Sequence, residues 1–143
     1  MEYNKEKKSD KLFITVFTGS VDKLMGLANL VAGAVAMDME VEVFVSLWGI
    51  YAFKKDVIKN NMHLSEFKDK GDMLMKRMME LKMPMWFDLL KQCKEEGNVK
   101  IYACAGSTAL WDVKKEDLEM VDSIIGVGEY LLKAKEATIS LVL

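Results

Sequence analysis

Residues 11–49 read KLFITVFTGS VDKLMGLANL VAGAVAMDME VEVFVSLWG, and this stretch decides the fold. Leu12 to Thr18 is a short apolar run of β-formers, closed by Gly19-Ser20. Leu24, Leu27, Ala28, Val31 and Val35 then recur at helical spacing, with Asp22 placed to cap the helix start. Val41 to Leu47 is a second β-type run, stopped by Trp48-Gly49. Strand, helix, strand in this order predicts a βαβ unit, hence a parallel pair joined by a right-handed crossover.

The rest of the chain extends that pattern. Tyr51 to Leu81 is polar at first, then helical and crowded with methionines, and Pro84 breaks it. Met85 to Glu96 predicts a helix whose inner face is Trp86, Leu89, Leu90 and Cys93, closed by Gly97-Asn98. Val99 to Cys104 (VKIYAC) is a third strand, with Ala105-Gly106-Ser107 as its exit turn. A short helix over Lys115–Met120, a strand over Ser123–Ile125, a helix over Val127–Glu136 and a last strand over Thr138–Leu143 complete the reading. The strands are apolar runs rather than strict alternations, which suits a sheet covered on both faces. The expected architecture is a three-layer α/β/α sandwich on a mainly parallel sheet of about five strands, in a flavodoxin-type order. Residues 1–10 read as a flexible tail and residues 11–143 as one domain.

Composition narrows the function. Over half of the 143 residues are apolar and the net charge is −2, so neither nucleic acid nor an anionic membrane is an expected partner. Arg77 is the single arginine, which leaves little for a bidentate anion clamp. No stretch approaches the roughly 20 apolar residues of a membrane span. The charged N-terminus has no apolar core after it, and the reading is cytoplasmic. With two cysteines, Cys93 and Cys104, and one histidine, His63, no structural metal site is expected, and no cofactor.

Ligands of open parallel sheets bind at the carboxyl ends of the strands. Three exits carry glycine: Thr18-Gly19-Ser20, Trp48-Gly49 and Cys104-Ala105-Gly106-Ser107. Cys104 is the strong nucleophile among them, because backbone amides at a strand-to-helix turn favour the thiolate. A buried inert thiol is the opposing reading. Cys93 shares a helical face with Trp86, Leu89 and Leu90, which suggests a core position. A direct Cys93–Cys104 bond is not expected, since helix and strand geometry separates them by roughly 10 Å or more along the strand axis, against about 7 Å between Cα atoms for a disulfide. Trp48 and Trp111 read either as pocket walls or as packing. Met73, Met75, Met78, Met79, Met83 and Met85 read as a core or subunit contact, or as a lid. His63 reads as a surface residue, and Asp22 and Asp112 as helix caps. No phosphate loop or GxSxG elbow is present, and Gly126-Val127-Gly128 is too short for a dinucleotide fingerprint.

Three segments also carry a family likeness. The opening LFITVFTGSVDKLMGLANLVAGAVAMDMEVEVFVSLWG, the strand KIYAC followed by AGS, and the late VDSIIGVGEYLLKAKEATISLVL together resemble the soluble branch of the DsrE/DsrF-like sulfur-carrier family, archaeal relatives included. The likeness spans the chain from Lys11 onward. It implies a three-layer fold, a homo-oligomer (trimer or hexamer), and a cysteine that carries sulfur as a persulfide or thiosulfonate between donor and acceptor proteins. Cys104 matches that cysteine, and Cys93 matches a second thiol of some archaeal relatives. Gly19, Ser20, Trp48, Gly49, Ala105, Gly106 and Ser107 are the expected substrate-binding residues around it. Two other readings stand beside the sulfur carrier: a noncatalytic small-ligand or nucleotide-binding module, and an oligomeric interaction subunit with structural cysteines.

Overall fold

A computed structural model describes residues 9–143, so most of the tail expected over 1–10 lies outside the described residues. The strands are β1 (Lys11–Val16), β2 (Glu40–Val45), β3 (Val99–Cys104), β4 (Ser123–Ile125) and β5 (Ile139–Val142). The helices are α1 (Val21–Ala36), α2 (Trp48–Ala52), α3 (Gly71–Glu80), α4 (Trp86–Glu96), α5 (Ala105–Leu110) and α6 (Val127–Ala134). The five strands form one sheet in the order β4-β3-β2-β1-β5, and every neighbouring pair is parallel. With helices on both faces, this is the three-layer α/β/α fold.

The strand order differs from the flavodoxin type, in which β1 lies between β2 and β3. Here β1 lies between β2 and β5, with Leu12 in register with Val41 on one side and Ile139 on the other. The chain steps from β1 through β4 in one direction. Right-handed crossovers taken in one direction all fall on one face. The return from β4 to β5 reverses direction and carries α6 to the other.

Alternation along the strands divides the core accordingly. Leu12, Ile14, Val16, Val41, Val43, Val45, Val99, Ile101 and Ala103 pack toward α1 and α4, where Leu24, Leu27, Val31, Trp86, Leu90 and Cys93 are buried against them. Phe13, Phe44, Tyr102 and Cys104 form a smaller cluster on the second face. Tyr130 of α6 covers it, stacked on Phe44 at 4.3 Å, edge-on to Phe13 at 5.3 Å, and hydrogen-bonded to Thr15 Oγ1 at 2.5 Å. Each large side chain so buried contributes about 1.5–3 kcal/mol.

Four local expectations are corrected. The N-cap of α1 is Ser20; Asp22 sits in the first turn and accepts hydrogen bonds from the Ser65 N–H and hydroxyl. The helix expected over Lys115–Met120 is a single 3-10 turn, Lys115–Asp117, while helix α5 begins at Ala105, where a turn was expected. Asp112 follows the carboxyl end of α5 in a left-handed conformation (φ 50°), not at a helix start. Of the methionine cluster, only Met78 is buried; Met73, Met79 and Met83 face solvent.

Candidate functional site

Cys104 is the last residue of β3 and the N-cap of α5. The chain passes from strand to helix without a loop, because Ala105, Gly106 and Ser107 are small enough to turn at once. Thr108 Oγ1 donates to the Ala105 carbonyl at 2.9 Å and closes the first turn. The Cys104 side chain lies on the second face of the sheet and is 6% exposed.

Parallel register assembles its surroundings. Val45 pairs with Ala103, so the next residues, Ser46 and Cys104, stand side by side at the ends of β2 and β3. Ser46 Oγ and Ser107 Oγ are 2.9 Å apart, and the Leu47 N–H donates to Ser107 Oγ at 2.8 Å. The Leu47 carbonyl accepts from Trp111 Nε1 at 2.8 Å. Leu47 is thus tied to α5 through both its backbone groups, and it holds φ 48°, ψ −123°, a conformation costly for a branched side chain.

Burial pushes the Cys104 thiol up. The Ser107 N–H, the Ser46 and Ser107 hydroxyls and the Gly106 N–H outweigh it, and the net effect lowers its pKa below the ordinary thiol value. Cys93 behaves oppositely: burial and then the Glu96 carboxylate raise its pKa, against a smaller opposing backbone hydrogen bond. Cys93 also lies on the opposite face of the sheet, under α4. The strands therefore separate the two thiols.

The expected substrate-binding residues fall into three places. Ala105, Gly106 and Ser107 adjoin Cys104. Gly49 is packed in the wall between strands, where a Cβ would come within 2.8 Å of Val45 and 3.1 Å of the Val16 carbonyl. Gly19, Ser20 and Trp48 line a separate cavity of about 760 Å³, with Tyr51, Asn60 and His63. Trp48 is joined to Trp111 (ring centroids 4.7 Å apart) and Tyr51 (5.8 Å). The amino end of α1 beside that cavity is already occupied: the Val21 N–H donates to the His63 carbonyl at 2.7 Å. Ser65 and Ser20 bond the Asp22 carboxylate; burial raises the pKa of that group, and these bonds with its own N–H bring it below the usual carboxylate value.

Sequence reasoning missed Ser46 and Leu47. A serine ending an apolar strand is the only local signal, and its meaning depends on β2 and β3 being adjacent. Among the described residues, no group of three or more histidine, cysteine or acidic side chains is placed to hold a metal ion. No described helix is long and apolar enough to cross a membrane.

Comparison with known proteins matches this fold. The chain superposes on the structure of MTH1491 of Methanobacterium thermoautotrophicum, a protein of unknown function, with a TM-score of 0.64 and 15% identity, covering 94% of this chain and 100% of that one. The ychN protein of E. coli gives a TM-score of 0.57 at 13% identity over 95% and 100% of the two chains. Identities this low show a shared fold. In sequence, the chain is 25% identical to YrkE of Bacillus subtilis (strain 168), an uncharacterized protein, over 94% of this chain and 98% of that protein. The profile of the DsrE/DsrF/DrsH-like family matches residues 8–85 and 57–142. The fold, and a family match that runs the length of the chain, together place this protein in the DsrE/DsrF/DrsH-like family.

Proposed function

We propose that the chain is a sulfur carrier that holds sulfane sulfur on Cys104 and yields it to a thiol of a partner protein. The observation that carries this reading is the position of Cys104 at the end of β3 and the start of α5, beside the hydrogen-bonded Ser46–Ser107 hydroxyl pair and the first backbone N–H groups of α5, a setting that favours its thiolate. The family supports a sulfur-relay role. The thiolate attacks the outer sulfur of a donor persulfide, a new S–S bond forms at Cys104, and the donor leaves as its own thiolate. Delivery repeats the exchange with the acceptor thiolate attacking the outer sulfur and Cys104 leaving. Neither step changes the total number of electrons, so no redox cofactor is required.

The same donors can stabilise a persulfide anion, which resembles the thiolate in charge and adds one atom. A thiosulfonate adds a bulky sulfonate, which fits poorly at a residue only 6% exposed. The reading therefore favours persulfide. Such chemistry belongs to a reducing compartment, and cytoplasmic placement is part of the proposal. So is self-association, supported by apolar side chains left in solvent on α6 and β5.

Intact-mass measurement after treatment with polysulfide tests it. The native protein should gain the mass of whole sulfur atoms, removable by reductant, and Cys104→Ser should gain none while Cys93→Ser still does. An unmodified native protein with a free Cys104 thiol would refute the proposal.

A further inference from the structure

The cavity beside Trp48 is not lined by Cys104, and nothing in the sulfur chemistry uses it. Its volume, about 760 Å³, falls within the range of small-molecule sites. It lies at the carboxyl ends of β1 and β2, where α/β sheets bind ligands.

Its wall is chemically specific. Trp48 is 58% exposed, yet it is held in place by Trp111, whose own Nε1 is anchored to the Leu47 carbonyl. A large ring fixed in position and left open to a cavity is a stacking platform. Asn60, His63 and Trp48 line the same space, and none of the three side chains makes a hydrogen bond among the described residues. They offer donors and acceptors to a ligand's edge. Charge is balanced, with Asp56 and Lys68 the charged side chains in the lining. At the amino end of α1, the feature that would recruit a phosphate, the Val21 N–H is taken by the His63 carbonyl and the Asp22 carboxylate stands in the first turn. A carboxylate there also repels a second anion.

We propose that this cavity is a second binding site, for an uncharged planar heteroaromatic compound bearing hydroxyl groups, of the nucleoside class, stacked on Trp48 and read along its edge by Asn60. The charge pattern sets it against nucleotides.

Calorimetric titration with adenosine, guanosine, cytidine and uridine, and with their 5′-monophosphates, tests the proposal. At least one nucleoside should bind, with its monophosphate at least tenfold weaker. Trp48→Ala should weaken binding by tenfold or more, Trp48→Phe should keep most of it, and Cys104→Ser should leave it unchanged. Circular dichroism and thermal melts establish that each variant is folded; if Trp48→Ala does not fold, the retained affinity of Trp48→Phe and a loss in Asn60→Asp decide the case. No nucleoside binding at millimolar concentration overturns the proposal, as do monophosphates that bind as tightly as nucleosides. These outcomes do not depend on whether Cys104 accepts sulfur.

Discussion

At the scale of single residues, the site depends on Ser46. Its hydroxyl lies 2.9 Å from Ser107 Oγ and is among the groups that lower the Cys104 pKa. A hydrogen bond to a charged partner contributes about 1.5–3 kcal/mol, so Ser46→Ala should raise the Cys104 pKa and slow its alkylation at neutral pH several-fold. The sign follows from the lowered pKa of Cys104: its thiolate persists below the ordinary thiol range near 8.5, and the associated stabilisation is lost as pH falls through the folded-state value. Iodoacetamide labelling rates from pH 6 to 10, resolved by peptide mass, measure this. Cys93, whose pKa is raised, should label later at every pH, and a profile unchanged by Ser46→Ala would dismiss the role of that hydroxyl. The place of Cys104 at a strand end was legible from sequence, because an apolar run followed by small residues is a local pattern. Ser46 was not, because only the register of β2 against β3 gives it a partner.

At the scale of elements, the junction after β2 stores strain that the junction after β3 avoids. Leu47 holds φ 48° with its side chain 45% exposed, so little burial compensates for the conformation. Such a residue costs about 1–3 kcal/mol, while glycine costs about 0.5–1 kcal/mol in backbone entropy. Leu47→Gly should therefore raise stability by about 1 kcal/mol, or about 2–4 °C in melting temperature for a chain of this size. Leu47→Ala, still strained, should give no rise, and differential scanning calorimetry distinguishes the two. Gly19 is the reverse case. A Cβ there would stand 2.5 Å from the Trp48 carbonyl oxygen, so Gly19→Ala should destabilise by about 1–3 kcal/mol, read in urea titrations. The bounds of β3 and β4 follow from their apolar runs. Helix α5 was hidden because AGSTAL carries none of the amphipathic spacing that marks longer helices.

At the scale of the whole molecule, the two faces of the sheet are unequally covered. Two long helices pack one face; α6, with no fully buried residue, is the helix over the cluster on the other. Leu131, Leu132, Val127 and Val142 are each more than half exposed, and such exposure suits a surface that a second copy covers. Size-exclusion chromatography with light scattering should report an oligomer at micromolar concentration. Leu131→Lys with Leu132→Lys should return it to monomer with its circular dichroism unchanged; a monomeric native protein would count against the assembly. This arrangement was beyond the sequence, where the late segment reads as helix and strand but strand order is set by contacts remote along the chain.

The placement of Cys93 and Cys104 on opposite faces has a chemical consequence. Five strands act as insulation between the only two thiols in the chain, so the molecule cannot short-circuit itself. Many dithiol proteins discharge a persulfide internally, closing a ring and releasing hydrogen sulfide. Here that escape is barred, so on the proposed reading sulfur bound to Cys104 would stay until another molecule's thiol came to collect it.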